Sequence, residues 1–146
     1  MDRLFSRGEA AVVSGLSPRI IESWNTKGFH ASCGVSAGPG HLSLYSFADV
    51  VAIRAARELK EAGISAPGIH LALGFIQTTS IASCRNRWLM VSASGVRIGS
   101  RGNAREGETL LNIGRVIKEA EEAAQRCPPM RKGGARQGSG RPRIAA

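Results

Sequence analysis

Apolar and polar positions along the chain change their spacing several times, and each change marks an element. Phe5-Ser6-Arg7-Gly8-Glu9 has the form of a capping box. The Ser6 hydroxyl can accept from the Glu9 amide while the Glu9 carboxylate reaches back to Ser6, and Phe5 and Ala10 are placed to staple the start. A short helix through Val13 follows and ends at Ser14-Gly15, where glycine supplies the left-handed residue of a tight turn. Ser17 caps a second helix with Pro18 at its first position, where a missing N–H costs nothing. Ile20, Ile21 and Trp24 share one face of it, Arg19, Glu22, Ser23 and Lys27 lie mostly elsewhere, and Gly28 ends it. Two short helices joined by a glycine turn predict a helix-turn-helix.

Residues 29–45 are glycine-rich, and HLSLY alternates as a strand does, which predicts a small hairpin or wing. Ser46 and Asp49 open a third helix, in which Val50, Ile53, Ala56 and Leu59 recur down to Gly63. Ser65 to Gln77 reads as a buried helix with Pro67 in its first turn. RWLMV (87–91) and VRI (96–98) flank SASG as a hairpin, and Thr109 to Leu111 adds a strand. Asn112 caps a last helix to about Arg126, with Ile113, Val116 or Ile117, Ala120 and Ala124 as its stripe. That stripe fits a core face or a two-heptad dimer seam. The core face is preferred, because two heptads are short for an independent coiled coil.

The fold class is therefore α+β: an N-terminal winged helix-turn-helix, a small helix/β-hairpin/helix region, and a disordered basic tail. The expected divisions are residues 1–65, residues 66–126 as a dimerisation or partner surface, and residues 127–146. At 42% apolar content the chain can pack a core, and no apolar run approaches the ~20 residues of a membrane span. With no signal-peptide core at the start, the expectation is a cytoplasmic protein that does not engage a membrane.

Charge adds a partner. The net charge is +9, and the last twenty residues hold 5 basic side chains and no acidic one. Such a tail suits a polyanion, with double-stranded DNA expected. Gly140-Arg141-Pro142-Arg143 resembles the core of an AT-hook, whose arginines enter a narrow A·T minor groove, although Ser139 stands where an arginine is usual. A tail that binds any polyanion is the other reading, and both stay open.

Catalytic and metal chemistry find little support. No phosphate loop, nucleophile–base arrangement or paired-carboxylate motif is present, so no enzyme activity, catalytic residue or cofactor is assigned. Cys33, Cys84 and Cys127 are widely spaced, which predicts reduced thiols, and His30, Cys33 and His41 lack a fourth ligand for a metal. His70 lies in an apolar stretch and reads as a core or surface histidine. Arg85, Arg87, Arg97, Arg101 and Arg105 surround the hairpin as a solvated face or an extension of a DNA footprint.

GEAAVVSGLSPRIIESW, KGF and SLYSFADVVAIRAARELKEAGIS together resemble the DNA-binding domain of MerR-type regulators, over about residues 5–65. The Gly-Leu-Ser-Pro-Arg turn, the Trp24 to Gly28-Phe29 spacing and Leu44-Tyr45-Ser46 before Asp49 carry the resemblance. It implies a winged helix-turn-helix whose second helix enters the major groove while the wing grips phosphate. Two positions depart from the pattern, since Glu22 and Ser43 stand where basic residues are usual in the family. The expected DNA-contacting residues are Ser17, Pro18, Arg19, Ser23 and Lys27 on the second helix, and His41, Ser43 and Tyr45 on the wing. Arg131, Lys132, Arg136, Arg141 and Arg143 are expected to serve in the tail. A homodimer is expected, because one short helix reads too few bases. The function expected is a transcriptional regulator, nucleoid-associated or phage-encoded. The alternatives are a phage or mobile-element DNA accessory protein, resembling a small terminase subunit or an excisionase, and an antitoxin-like interaction module.

Overall fold

The computed structural model describes residues 3–26, 44–92 and 94–128. Their order is α1 (Arg7–Ser14), α2 (Pro18–Thr26), α3 (Phe47–Glu61), α4 (Ala66–Thr78), a one-turn α5 (Ile81–Cys84), β1 (Trp88–Ser92), β2 (Gly95–Gly99), a 3-10 turn (Arg101–Asn103), β3 (Thr109–Leu111) and α6 (Ile113–Gln125). The fold is α+β, with the strands in one antiparallel sheet of order β2-β1-β3. The wing expected over 29–45, the cysteine and histidines at 30, 33 and 41, and the tail expected over 127–146 lie outside the described residues, save Leu44, Tyr45, Cys127 and Pro128.

Two capping boxes start the helices that matter most. At α1 the Ser6 hydroxyl accepts from the Glu9 amide at 3.2 Å, and Glu9 Oε1 accepts from the Ser6 amide at 2.8 Å. At α3 the pair is Ser46 and Asp49, at 3.1 and 2.9 Å. Both carboxylates are buried, Glu9 at 4% and Asp49 at 1% exposure. Each therefore needs more than its cap. Arg3 reaches Glu9 at 3.4 Å, and the Gln77 side-chain amide donates to Asp49 at 3.0 Å.

Helix α3 is the axis of the core. The expected stripe of Val50, Ile53, Ala56 and Leu59 is buried, but so are Val51, Ala52 and Ala55. A single stripe would leave the other faces wet. Here α3 packs most extensively on α4 and also meets α1 and α6, so it is covered on several sides. The alanines let those neighbours come close.

The stripe of α6 is consumed internally. Ile113, Val116, Ile117, Ala120 and Ala124 are all buried within one apolar cluster that runs from Phe5 to Cys127. The core-face reading holds, and the same cluster joins the helix-turn-helix to the region after Gly63. Asn112 caps α6 as expected, its Oδ1 accepting from the Arg115 amide at 3.0 Å. Gly114 packs against the Asn86 turn, where a Cβ would meet the Asn86 nitrogen at 2.7 Å. Asn86 itself is left-handed, at φ 57°.

β1 is central and covered on both faces, with Leu89, Met90 and Val91 all buried. Leu89 and Val91 face the helices with their partners Ile98, Val96 and Leu111. Met90 points the other way, beneath the segment 100–108. There Arg97 forms a two-armed pair with Glu108, both bonds at 2.8 Å, and donates to the Asn103 carbonyl at 2.9 Å. Its guanidinium lies 3.5 Å from the Met90 sulfur. The sequence pattern predicts the hairpin but neither α5 nor this clasp. Their signals are short-range turn chemistry, Ser80 accepting from Ser83 and Ser100 with Asn103, and carry no hydrophobic period.

Two measurements check this packing. Gly114→Ala should destabilise the fold by about 1–3 kcal/mol, because the Asn86 backbone must move. Gly74→Ala in α4, where a Cβ meets nothing within 4 Å, should stabilise it by about 0.5–1 kcal/mol. Urea unfolding of the two variants should move in opposite directions, and parallel shifts would contradict the packing of α6 on the Asn86 turn. The clasp is tested by titration. The Arg97 hydrogen bond, aided by the Arg105 amide, holds Glu108 down to about 2 from an ordinary 4.5. Its contribution is thus present in full above about 4.5 and is lost as pH falls through about 2. A Glu108 carboxyl NMR midpoint near 2 is expected, and one near 4 would mean that the clasp is open in solution.

Candidate nucleic-acid interface

The position of α2 is set by its turn. Gly15 adopts φ 82°, and its amide donates to the Ala11 carbonyl at 2.9 Å, closing α1. The fully buried Ser14 hydroxyl donates to Ala11 O and accepts from the Leu16 amide, each at 3.4 Å, so it steers the chain out of the turn. Ser17 then caps α2, its hydroxyl accepting from the Ile20 amide at 3.3 Å. Pro18 follows at the first helical position. Ile21, at 2% exposure, anchors α2 to the core.

Two arginines of α3 lock the end of α1. Arg54 donates to the Val13 carbonyl at 2.6 Å and pairs with Glu119 of α6 at 3.4 Å. Arg57 donates to the Ser14 carbonyl at 3.4 Å and approaches Glu61 at 4.0 Å. These carbonyls are the ones a helix leaves without intrahelical donors, and the negative end of α1 favours cations there. Arg115 extends the network, meeting Glu58 at 2.5 Å and Glu119 at 3.1 Å. The hydrophobic pattern assigns no role to Arg54 or Arg57. Both fall off the apolar stripe of α3 and look like solvent-facing charge, and only the fold brings α1's last carbonyls to them.

The expected DNA-facing residues separate into three groups. Ser17, Pro18, Arg19 and Ser23 are exposed along the start and outer side of α2, and so lie on one surface. Arg19 has no carboxylate partner among the described residues. Lys27, His41, Ser43 and the five tail residues lie outside the described residues, as do the side chains of Glu22 and Trp24. Tyr45 requires a correction. It is 1% exposed and belongs to the core, because its backbone forms a two-bond bridge with Phe5, at 2.7 and 2.9 Å. Its ring is turned inward and presents no surface to a duplex. Ile20 also departs from the expected apolar face, at 38% exposure, so Ile21 alone of that pair serves the core.

α1, the Gly15 turn and α2 make a helix-turn-helix with its second helix outermost. Residues 5–74 match the family model of the MerR HTH family regulatory proteins, and this part of the chain is a MerR-type helix-turn-helix domain. Comparison with curated proteins finds no matching sequence. Among the described residues no helix is long and apolar enough to cross a membrane, and no group of three metal-ligating side chains is present.

Arg54→Ala is expected to leave the Val13 carbonyl without its donor in a part-buried site, costing about 1–3 kcal/mol. Chemical denaturation checks the magnitude. A loss below a few tenths of a kcal/mol would show that the α1–α2 geometry does not depend on this contact.

Proposed function

We propose that the chain is a DNA-binding transcriptional regulator that docks α2 in the major groove. The carrying observation is the match of residues 5–74 to the MerR HTH family together with the exposed start of α2, which presents Arg19 free of any carboxylate among the described residues. Residues at the N-terminus of a recognition helix point most directly at base edges and flanking phosphates. Arg19 is the reading or clamping cation, Ser17 and Ser23 supply neutral hydrogen bonds, and Lys27 continues the same helix. His41 and Ser43 act from the wing. Arg131, Lys132, Arg136, Arg141 and Arg143 add phosphate or minor-groove contacts from the tail. Glu22 opposes phosphate at a position where a cation would help, so the tail carries charge that the helix lacks. Residues 66–126 serve as the platform that holds α3 rigid and as the partner surface of a homodimer.

Fluorescence anisotropy on duplex DNA across a salt series tests this. Arg19→Ala should weaken binding by about 1–3 kcal/mol if it contacts a base, with loss of preference between duplexes. Glu22→Arg should strengthen binding at low salt. Removing residues 129–146 should flatten the salt slope by about 0.9 for each phosphate that the tail neutralises. The cut follows Pro128 because Cys127 is buried in the core. If Arg19→Ala and Glu22→Arg both leave affinity unchanged on every duplex while the tail deletion abolishes it, α2 is not the reader.

A further inference from the structure

We infer that the hollow beside Trp88, on the region after the helix-turn-helix, is a second nucleic-acid site that takes one unpaired nucleotide of a single strand. This site stands independently of how α2 docks. Its wall is built where β1 begins and α6 starts: Asn86, Trp88, Asn112, Gly114, Arg115 and Lys118 surround a space of about 360 Å³. That falls within the range of pockets that hold small ligands, about 300–1,000 Å³. No carboxylate belongs to that wall.

The chemistry of the wall is that of a nucleotide binder. Trp88 is half-buried, so its ring is fixed by the sheet while part of it stays open. Arg101, outside that wall, makes a cation–π contact with the ring, its guanidinium carbon 5.3 Å from the centroid. An aromatic with an arginine beside it is the platform on which bases stack without regard to sequence. Asn86 and Asn112 bring side-chain amides, though the Oδ1 of Asn112 is committed to its helix cap. The neighbouring cations differ in availability. Arg85, Arg97 and Arg115 are neutralised by Glu121, Glu108 and the Glu58–Glu119 pair. Arg87, Arg101 and Lys118 are exposed and have no carboxylate partner among the described residues, and of these Lys118 belongs to the wall. Lys118 in the wall and Arg101 at the Trp88 ring are the two cations we assign to the phosphate of a base held there.

Concavity selects the form of nucleic acid. A duplex presents its bases edge-on and its phosphates on a convex surface, and offers nothing to fill a hollow beside a tryptophan. A single strand can splay a base into it. A free nucleotide shares the chemistry, so the test must separate the two.

Trp24 and Trp88 are the tryptophans of the chain, so full-length Trp24→Phe reports on Trp88 alone. Its fluorescence is titrated with a twelve-residue oligothymidylate, the matching duplex with oligoadenylate, and thymidine monophosphate. Saturable quenching by the single strand is expected. Arg101→Gln with Lys118→Gln should raise the midpoint about tenfold, and Lys60→Gln, an exposed cation on α3, should leave it in place. An unchanged circular dichroism spectrum of the double variant guards against misfolding. The proposed site is overturned if anisotropy shows the oligonucleotide bound while Trp88 is unquenched, or if quenching survives the double variant. Equal quenching by the duplex would overturn the unpaired base. Equal affinity for thymidine monophosphate would assign the hollow to a free nucleotide and overturn the strand.

Discussion

The enclosure of α3 is the constraint from which the rest of the molecule follows. A helix with apolar side chains at 50, 51, 52, 53, 55, 56 and 59 has too wide an apolar surface for a two-helix contact and must be covered by several neighbours. α1, α4 and α6 supply that cover, and this recruits a helix from the far end of the sequence to support the turn near its beginning. The half-buried polar positions of α3 bind neighbouring elements: Arg54 to α1 and α6, Arg57 to α1, Glu58 to Arg115. The angle at which α2 leaves the turn is thus fixed indirectly. Among the described side chains of α2, Ile21 is the core anchor, and the helix follows α1, which α3 holds by its last carbonyls.

Arginine serves this purpose better than lysine would. Arg54 satisfies a backbone carbonyl and a carboxylate on two different elements at once, which a planar fork with several donors can do and a point charge does less precisely. Arg3 repeats the device at the other end of α1, reaching Glu9, the Ala124 carbonyl near the end of α6, and the Phe5 ring at 4.5 Å. Taken together, the arginines join three helices that are distant in sequence. Exposed ion pairs of this type add little stability one by one. Their value here lies in the carbonyls and carboxylates that would otherwise be left part-buried without partners.

How much of this was legible in the sequence depends on the range of the physics involved. Elements fixed by local chemistry were readable: the Ser6–Glu9 and Ser46–Asp49 boxes, the left-handed Gly15, the Asn112 cap, and the bounds of β3 at Thr109 and Leu111. The exposed start of α2 was readable for the same reason, since Ser17-Pro18 fixes which residue comes first. Tyr45 was not, because an aromatic beside a wing fits a DNA contact and a core position equally until its bridge to Phe5 is seen. Nor was the fate of α6's stripe fully determined by its period, since a core and a dimer seam want the same spacing. The roles of Arg54 and Arg57 depend on partners forty-one and forty-three residues away, which no periodicity records.

That long-range pairing changes how the net charge should be understood. A formal +9 suggests a surface basic everywhere, yet Arg3, Arg54, Arg57, Arg85, Arg97 and Arg115 are each tied to a carboxylate of the fold. They contribute to architecture and little to the field a duplex would meet. The charge left for a polyanion lies on exposed cations that no carboxylate of the described residues holds, Arg19 at the start of α2, Arg87, Arg101 and Lys118 around Trp88, Lys60 and Arg126, with the basic residues of the sequence beyond Pro128 in addition. If α2 docks as proposed, this arrangement would give a selective helix of modest electrostatic strength and separate, less selective sources of attraction. Its affinity for nucleic acid would be set mainly by the latter and its choice of site by the former. If α2 reads DNA as proposed, the acidic Glu22 would lower non-specific attraction there and leave the general attraction to the other cations.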